Sequence, residues 1–305
     1  LEVIYFGQIL LSAVFLWKGA GLLVESSIRV ARSLDISPLV IGLTVVALGT
    51  SAPEFAVTIN AALSGQADIS VSNVIGSNIF NLGFILGGVA IVRGIKTDRK
   101  LVWRDGMVLV ASTIAILYFI WDLHFSRGEG IIMFAGLVVY LFYLFTKKER
   151  DKPVTEISRA RPMDYLYLPG GIAMVVLGGH LLKTGAINLA RDFGVSEWGI
   201  GITIVAAGTS APEFVTSLVA AFKGQHGISA GNLIGSDLFN LLGVLGLAGI
   251  LNPMSVTAYA HGSLVMLVGM VILVVIFMRT GWRLSRTEGL ILVGLNVLRW
   301  TMKFT

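Results

Sequence analysis

The chain has 305 residues, 55% of them hydrophobic and only 13% charged, with a mean hydropathy of +0.83. A soluble domain carries about 25% charged residues, so this composition excludes an ordinary soluble fold and points to an all-α membrane protein. The net charge of +5 calls for no nucleic acid, because Lys and Arg sit in loops between apolar runs, and the absence of cysteine excludes disulfides, thiolate nucleophiles and zinc-thiolate sites.

Ten apolar spans follow one another at about 3–20, 38–63, 70–92, 102–120, 129–146, 165–187, 197–222, 228–250, 257–278 and 287–301. The first lacks a basic leader and a small-residue cleavage site, so it is expected to remain as a helix. The longest hydrophilic stretch, Lys147 to Arg161, follows the fifth span. It divides the chain into a five-helix unit (1–150), a linker (151–162) and a second five-helix unit (163–305). Loops after odd-numbered spans carry Arg29 and Arg32, then Arg93 to Arg104, the linker, Lys223, and Arg279 to Arg286; the other loops carry only Arg127 and Arg191. The positive-inside rule puts the first set in the cytoplasm of a cell-membrane protein and both termini outside. The loops at 64–68 and 223–227 are short, so the spans on either side of each must be antiparallel neighbours.

The two units repeat each other. Ala31 to Gly87 aligns without gaps to Ala190 to Gly246 at roughly half identity, with Glu54 and Glu213, Ser77 and Ser236, and Asn81 and Asn240 each 159 positions apart. Five spans is an odd number, so the second unit crosses in the opposite sense. The expected fold is ten transmembrane helices in two inverted five-helix repeats.

The most similar letters are polar ones in mid-membrane. Gly49 to Glu54 reads GTSAPE, and Gly208 to Glu213 repeats it. Proline removes a donor and glycine weakens the helix, so each copy reads as a spanning helix broken near its middle with a carboxylate at the break. A carboxylate in hydrocarbon is a functional-site hypothesis by default. A second pair, Ser72 to Asn81 and Gly231 to Asn240, puts Ser77 with Asn81 and Ser236 with Asn240 on one helix face, and Asn73 and Asn232 extend those rows. For these last two, an interhelical hydrogen bond is an equal alternative. Thr50 and Glu54, and Thr209 and Glu213, also share faces. Inverted symmetry would gather these rows into one midplane cavity with the carbonyls around Ala47 and Ala206. All are hard oxygen donors, which suit Na+ or Ca2+, and the four scattered His residues offer no soft-metal cluster.

Both paired motifs resemble the two alpha-repeats of the sodium/calcium exchanger branch of the calcium/cation antiporters, in its short prokaryotic form, over nearly the whole chain. The resemblance implies antiport without a cofactor, with Ca2+ and Na+ as transported partners in a lipid bilayer and a functional monomer. It implies a calcium site from Glu54, Glu213, Thr50 and Thr209. It implies sodium sites that reuse these residues and add Ser51, Ser77, Ser210, Ser236 and the Ala47 and Ala206 carbonyls. Asn81 and Asn240 would line the cavity, and the first and sixth helices would slide across the other eight. Potassium-dependent relatives carry Asp where Asn240 stands, which argues against potassium co-transport. Asp237 breaks the repeat, since its counterpart is Asn78. It lies about 100° around the helix from Ser236, so a structural or vestibule role is expected, with a proton or ion site as the alternative. Proton-driven calcium exchange stays open. A cation channel or an intramembrane hydrolase fits less well: a channel needs no inverted repeat, and no Cys or His accompanies the motifs.

Overall fold

In lipid every backbone polar group must be satisfied within the protein, which drives an apolar chain into helices. A computed structural model describes residues 2–147, 159–194 and 206–301. The first half comprises α1 (Glu2–Ser33), α2 (Pro38–Thr50), α3 (Ala52–Leu63), α4 (Ala67–Arg93), α5 (Leu101–Asp122) and α6 (Arg127–Thr146). The second comprises α7 (Asp164–Asp192), α8 (Ala206–Thr209), α9 (Ala211–Phe222), α10 (His226–Leu251), α11 (Tyr259–Trp282) and α12 (Arg286–Thr301). Among the described residues, seven helices are long and apolar enough to cross a bilayer, and α2 with α3, bent by 54°, makes an eighth. The predicted seventh span lies partly outside the described residues, as does most of the linker, and the predicted tenth is the sixteen-residue α12.

One boundary differs from expectation. The first span does not end near residue 20: α1 runs on to Ser33, so Arg29 and Arg32 lie in a helix and not in a loop. The extension carries charges that find partners. The Arg29 guanidinium donates to the Asp164 carboxylate at 2.8 and 2.7 Å, and Glu25 pairs with Lys223. At about 1.5 Å per residue, 32 residues exceed the ~30 Å of hydrocarbon, so the last turns reach beyond it.

The hairpins after α3 and α9 close in the same way. Gly65 and Gly224 take φ of 72° and 71°, where a side chain would be strained. Gln66 and Gln225 then donate back to the Ala61 and Ala220 carbonyls, both at 2.8 Å. The likeness also extends past the aligned motifs. Ser126 and Glu129 form a capping box before α6, and Ser285 and Glu288, each 159 positions on, do the same before α12. Two short ribbons tie the halves together: β1 (Ile95–Lys96) pairs with β4 (Arg283–Leu284), and β2 (His124–Phe125) with β3 (Met254–Ser255).

Glycines set the helix contacts that position the site. A Cβ on Gly171 would lie 2.7 Å from the Leu23 nitrogen and one on Gly19 2.6 Å from the Met174 Cβ, so α1 and α7 pack backbone to backbone. A Cβ on Gly235 would lie 2.6 Å from the Leu43 carbonyl oxygen, which brings α10 directly onto α2. α4 and α10 widen into π-helical turns at Asn81–Leu86 and Phe239–Leu245. Such turns recur at functional sites. Beside the first, Asn296 of α12 donates to the Ile79 carbonyl at 2.7 Å.

Candidate ion-binding site

The helix break in each motif falls where the sequence puts it. Ser51 (φ −80°, ψ 7°) ends α2, and Ser210 (φ −91°, ψ 9°) precedes α9. Pro53 and Pro212 have no N–H, so the Gly49 and Gly208 carbonyls cannot receive their usual helical donor. Glu54 and Glu213 fall in the first turns of α3 and α9, where the helix dipole favours negative charge.

The two carboxylates are 1% exposed and are held crosswise. The Ser51 hydroxyl donates to Glu213 Oε1 at 3.1 Å, and the Ser210 hydroxyl donates to Glu54 Oε1 at 3.0 Å. The second oxygen of each, Oε2, is buried without a hydrogen-bond partner among the described residues. Among the described residues, no Lys, Arg or His forms an ion pair with either Glu. Taking an unpaired carboxylate out of water costs several kcal/mol. Two of them sharing one enclosed site call for a bound cation or a proton.

Hydroxyls and amides from α2, α4 and α10 complete the cluster. Thr50 Oγ1 donates to Asn232 Oδ1 at 3.0 Å and lies 3.5 Å from the Ser236 hydroxyl. The Asn240 side-chain amide donates to Asn78 Oδ1 at 3.0 Å and approaches Ser77 Oγ at 3.4 Å. Asn81 makes the corresponding bond to Asp237 Oδ1 at 3.0 Å. Asn81 Oδ1, Asn240 Oδ1 and Asp237 Oδ2 are buried acceptors without donors among the described residues. Thr209 is buried at the second motif.

The Ala47 carbonyl is not free: it accepts from the Ser51 N–H at 3.0 Å, because the helical ladder survives up to Ser51, and Thr50 Oγ1, whose one hydrogen it shares with Asn232, lies 3.3 Å away. Ala206 opens a described segment, with the residues before it outside the described set. Asn73 and Asn232 act as interhelical ties. Their NH2 groups donate to Thr58 Oγ1 at 2.9 Å and Ser217 Oγ at 3.0 Å, which clamps α4 to α3 and α10 to α9. Asp237 does face a neighbour, but that neighbour is Asn81, so it joins the polar cluster.

Reading the sequence missed Asn78, Asn296 and Lys183. Lys183 is the one with a visible signal, a charged residue inside the apolar span 165–187.

The family model for sodium/calcium exchanger proteins matches residues 4–146 and 164–302. The CaxA protein of Alkalimonas amylolytica is 35% identical, covering 93% of this chain and 96% of its own. The sodium/calcium exchanger MaX1 of Methanosarcina acetivorans is 30% identical over 93% of this chain and 94% of its own. A solved structure of the sodium-calcium exchanger NCX_Mj superposes with a TM-score of 0.87 at 29% identity, covering 99% of each chain. With motifs, apolar helices and full-length likeness in agreement, this multi-pass membrane protein belongs to the sodium/calcium exchanger protein family.

Proposed function

We propose that the chain is a secondary active antiporter that exchanges Ca2+ for Na+ by alternating access. The observation that carries this is the crossed pair, with Ser51 on Glu213, Ser210 on Glu54, and one bare buried oxygen on each carboxylate. Two such oxygens neutralise a divalent cation, and hydroxyl, amide and carbonyl oxygens supply the rest of the six to eight ligands Ca2+ takes. Glu54, Glu213, Thr50 and Thr209 bind Ca2+. The sodium sites reuse them with Ser51, Ser77, Ser210, Ser236 and the Ala47 and Ala206 carbonyls, and Asn81 and Asn240 line the space between. Shared ligands make the two cargoes mutually exclusive, which is what exchange requires.

The architecture that serves this is ten spans in two inverted repeats, with units 1–150 and 163–305 joined by the 151–162 linker and both termini outside the cell membrane. Two observations support it. The contacts at the site come in pairs offset by 159, such as Ser51 to Glu213 with Ser210 to Glu54. The ribbons also join loops that the topology assigns to one side: β1–β4 links the loops after spans three and nine, and β2–β3 those after four and eight. The close-packed α1 and α7 slide as one body, and the chain works as a monomer in lipid. A second reading, with protons as the driving ion, is favoured by one observation: Asp237 is buried with one oxygen unpartnered.

Radiolabelled Ca2+ uptake into proteoliposomes loaded with Na+, or carrying a pH gradient, separates these. Uptake that needs outward Na+ supports the proposal. Uptake driven only by protons moves the second reading ahead. Flux down the calcium gradient with no counter-ion makes the protein a channel and overturns both.

A further inference from the structure

Lys183 is a charged residue for which the exchange reading has no use. It lies in α7, 19 residues past Asp164 and 9 before Asp192. It falls inside the apolar span 165–187, four residues from its end. A lysine there is costly and marks function by default. It has no hydrogen bond or ion pair among the described residues, and it is partly exposed where Glu54 and Glu213 are buried.

Its place is fixed by packing against the second motif. α7 runs antiparallel to the Gly208–Pro212 stretch. A Cβ on Gly179 would lie 3.0 Å from the Pro212 ring carbons, and a Cβ on Gly208 would lie 2.8 Å from Lys183 Cβ and 3.1 Å from its Cγ. The lysine stem therefore lies over Gly208, the residue before Thr209. Its charge is thereby tethered beside the second motif, the one that carries Glu213. The position 159 residues earlier is Val24, so this cation has no counterpart in the other half's repeat.

We infer that Lys183 is a tethered counter-charge of the ion site, a specificity-determining residue that flanks the carboxylate pair and weakens divalent binding. The inference rests on the shared-site reading of Glu54 and Glu213. Coulomb energy is proportional to the charge of the bound ion, so a fixed positive charge opposes one Ca2+ twice as strongly as one Na+. If removing it tightens a single monovalent cation by some factor, it tightens Ca2+ by about the square of that factor. Lys183 thereby reduces the positive charge that cargo must supply, which bears directly on how many sodium ions balance one calcium.

The test is equilibrium binding of radiolabelled Ca2+ to the purified full-length protein in Na+-free buffer. Lys183→Met is expected to bind about tenfold more tightly than wild type, and Lys183→Arg to match wild type. Lys183→Gln replaces the Met variant if that one does not give a monodisperse protein. Damage to packing would loosen the site, so tighter binding reports charge and not structure. Unchanged or weaker binding in the neutral variants, while Glu213→Gln loses binding in the same assay, overturns the counter-charge and leaves the site reading standing. Retained binding in Glu213→Gln overturns the site reading, and the counter-charge with it.

Discussion

Replacing Glu213 by Gln removes one of the two buried charges and little else. The Gln carbonyl can still accept the Ser51 hydroxyl bond that Glu213 Oε1 accepts at 3.1 Å. The backbone contact from Asn232 to the residue 213 carbonyl, at 3.3 Å, is untouched. Stability without cations should therefore hold or rise, since a neutral side chain in a membrane is cheaper than a charged one. Calcium binding should collapse. Removing one partner from a buried, charge-paired cluster costs about 3–5 kcal/mol, and each 1.4 kcal/mol is tenfold, so affinity falls by about 10² to 10⁴. The loss can also be read as ligand-induced stabilisation. Calcium at 100 times the wild-type Kd stabilises the wild type by about 2.7 kcal/mol, and a variant bound 100-fold more weakly by only about 0.4 kcal/mol. Equilibrium calcium binding and thermal unfolding with and without Ca2+ measure both. Glu54→Gln should behave alike, because its contacts are the counterpart ones. Binding within tenfold of wild type in either folded variant would refute a site built on two shared carboxylates.

Asn240→Asp should add cation affinity or potassium sensitivity without abolishing exchange, because a further carboxylate, beside those of Glu54, Glu213 and Asp237, would join the buried acceptors near Ser77 and Asn78; unchanged sodium, potassium and calcium responses would remove Asn240 from the ion-facing surface. Asp237→Asn should leave calcium transport near wild type. Its carbonyl keeps the bond from Asn81 at 3.0 Å, and its NH2 replaces the donorless Oδ2, just as Asn78 donates to the Asp237 carbonyl at 3.1 Å. Calcium flux at several pH values at fixed Na+ checks this, and a profile that flattens in the variant would put proton coupling ahead of sodium. Gly235→Ala should destabilise the fold by about 1–3 kcal/mol or more, because its Cβ would meet the Leu43 carbonyl oxygen at 2.6 Å and push α10 off α2; thermal unfolding with a wild-type midpoint would contradict it.

What could be read from the sequence follows its chemistry. Paired polar residues in apolar runs are costly, so they stand out, and the breaks at Ser51 and Ser210 and the partnering of Glu54, Glu213, Ser77, Asn81 and Asn240 with the other half were within reach. Helix ends were less so. Hydropathy ends the first span near residue 20, but Arg29 meets Asp164 at 2.7 Å, a partner 135 positions away that no local pattern reveals. The crosswise pairing of Ser51 and Ser210 was also hidden, since spacing relates residues within a helix and says nothing of which hydroxyl crosses the midplane. Asn78 looked like a neutral amide and Asn296 like one polar letter in a marginal span, yet each satisfies a backbone carbonyl across helices. Lys183 was legible by the same rule that found Glu54, but it lacks a repeat partner, and repetition was the stronger signal.

The proposed exchange requires that sodium and calcium occupy the same carboxylates. Equilibrium binding of radiolabelled Ca2+ to the purified protein, titrated with Na+ at constant ionic strength, tests it most directly. Sharing predicts that Na+ displaces Ca2+ completely and with a slope steeper than one ion per site, because several monovalent cations must replace one divalent cation. Calcium that stays bound at saturating Na+, or is displaced no better by Na+ than by an organic cation at equal ionic strength, would rule out shared carboxylates.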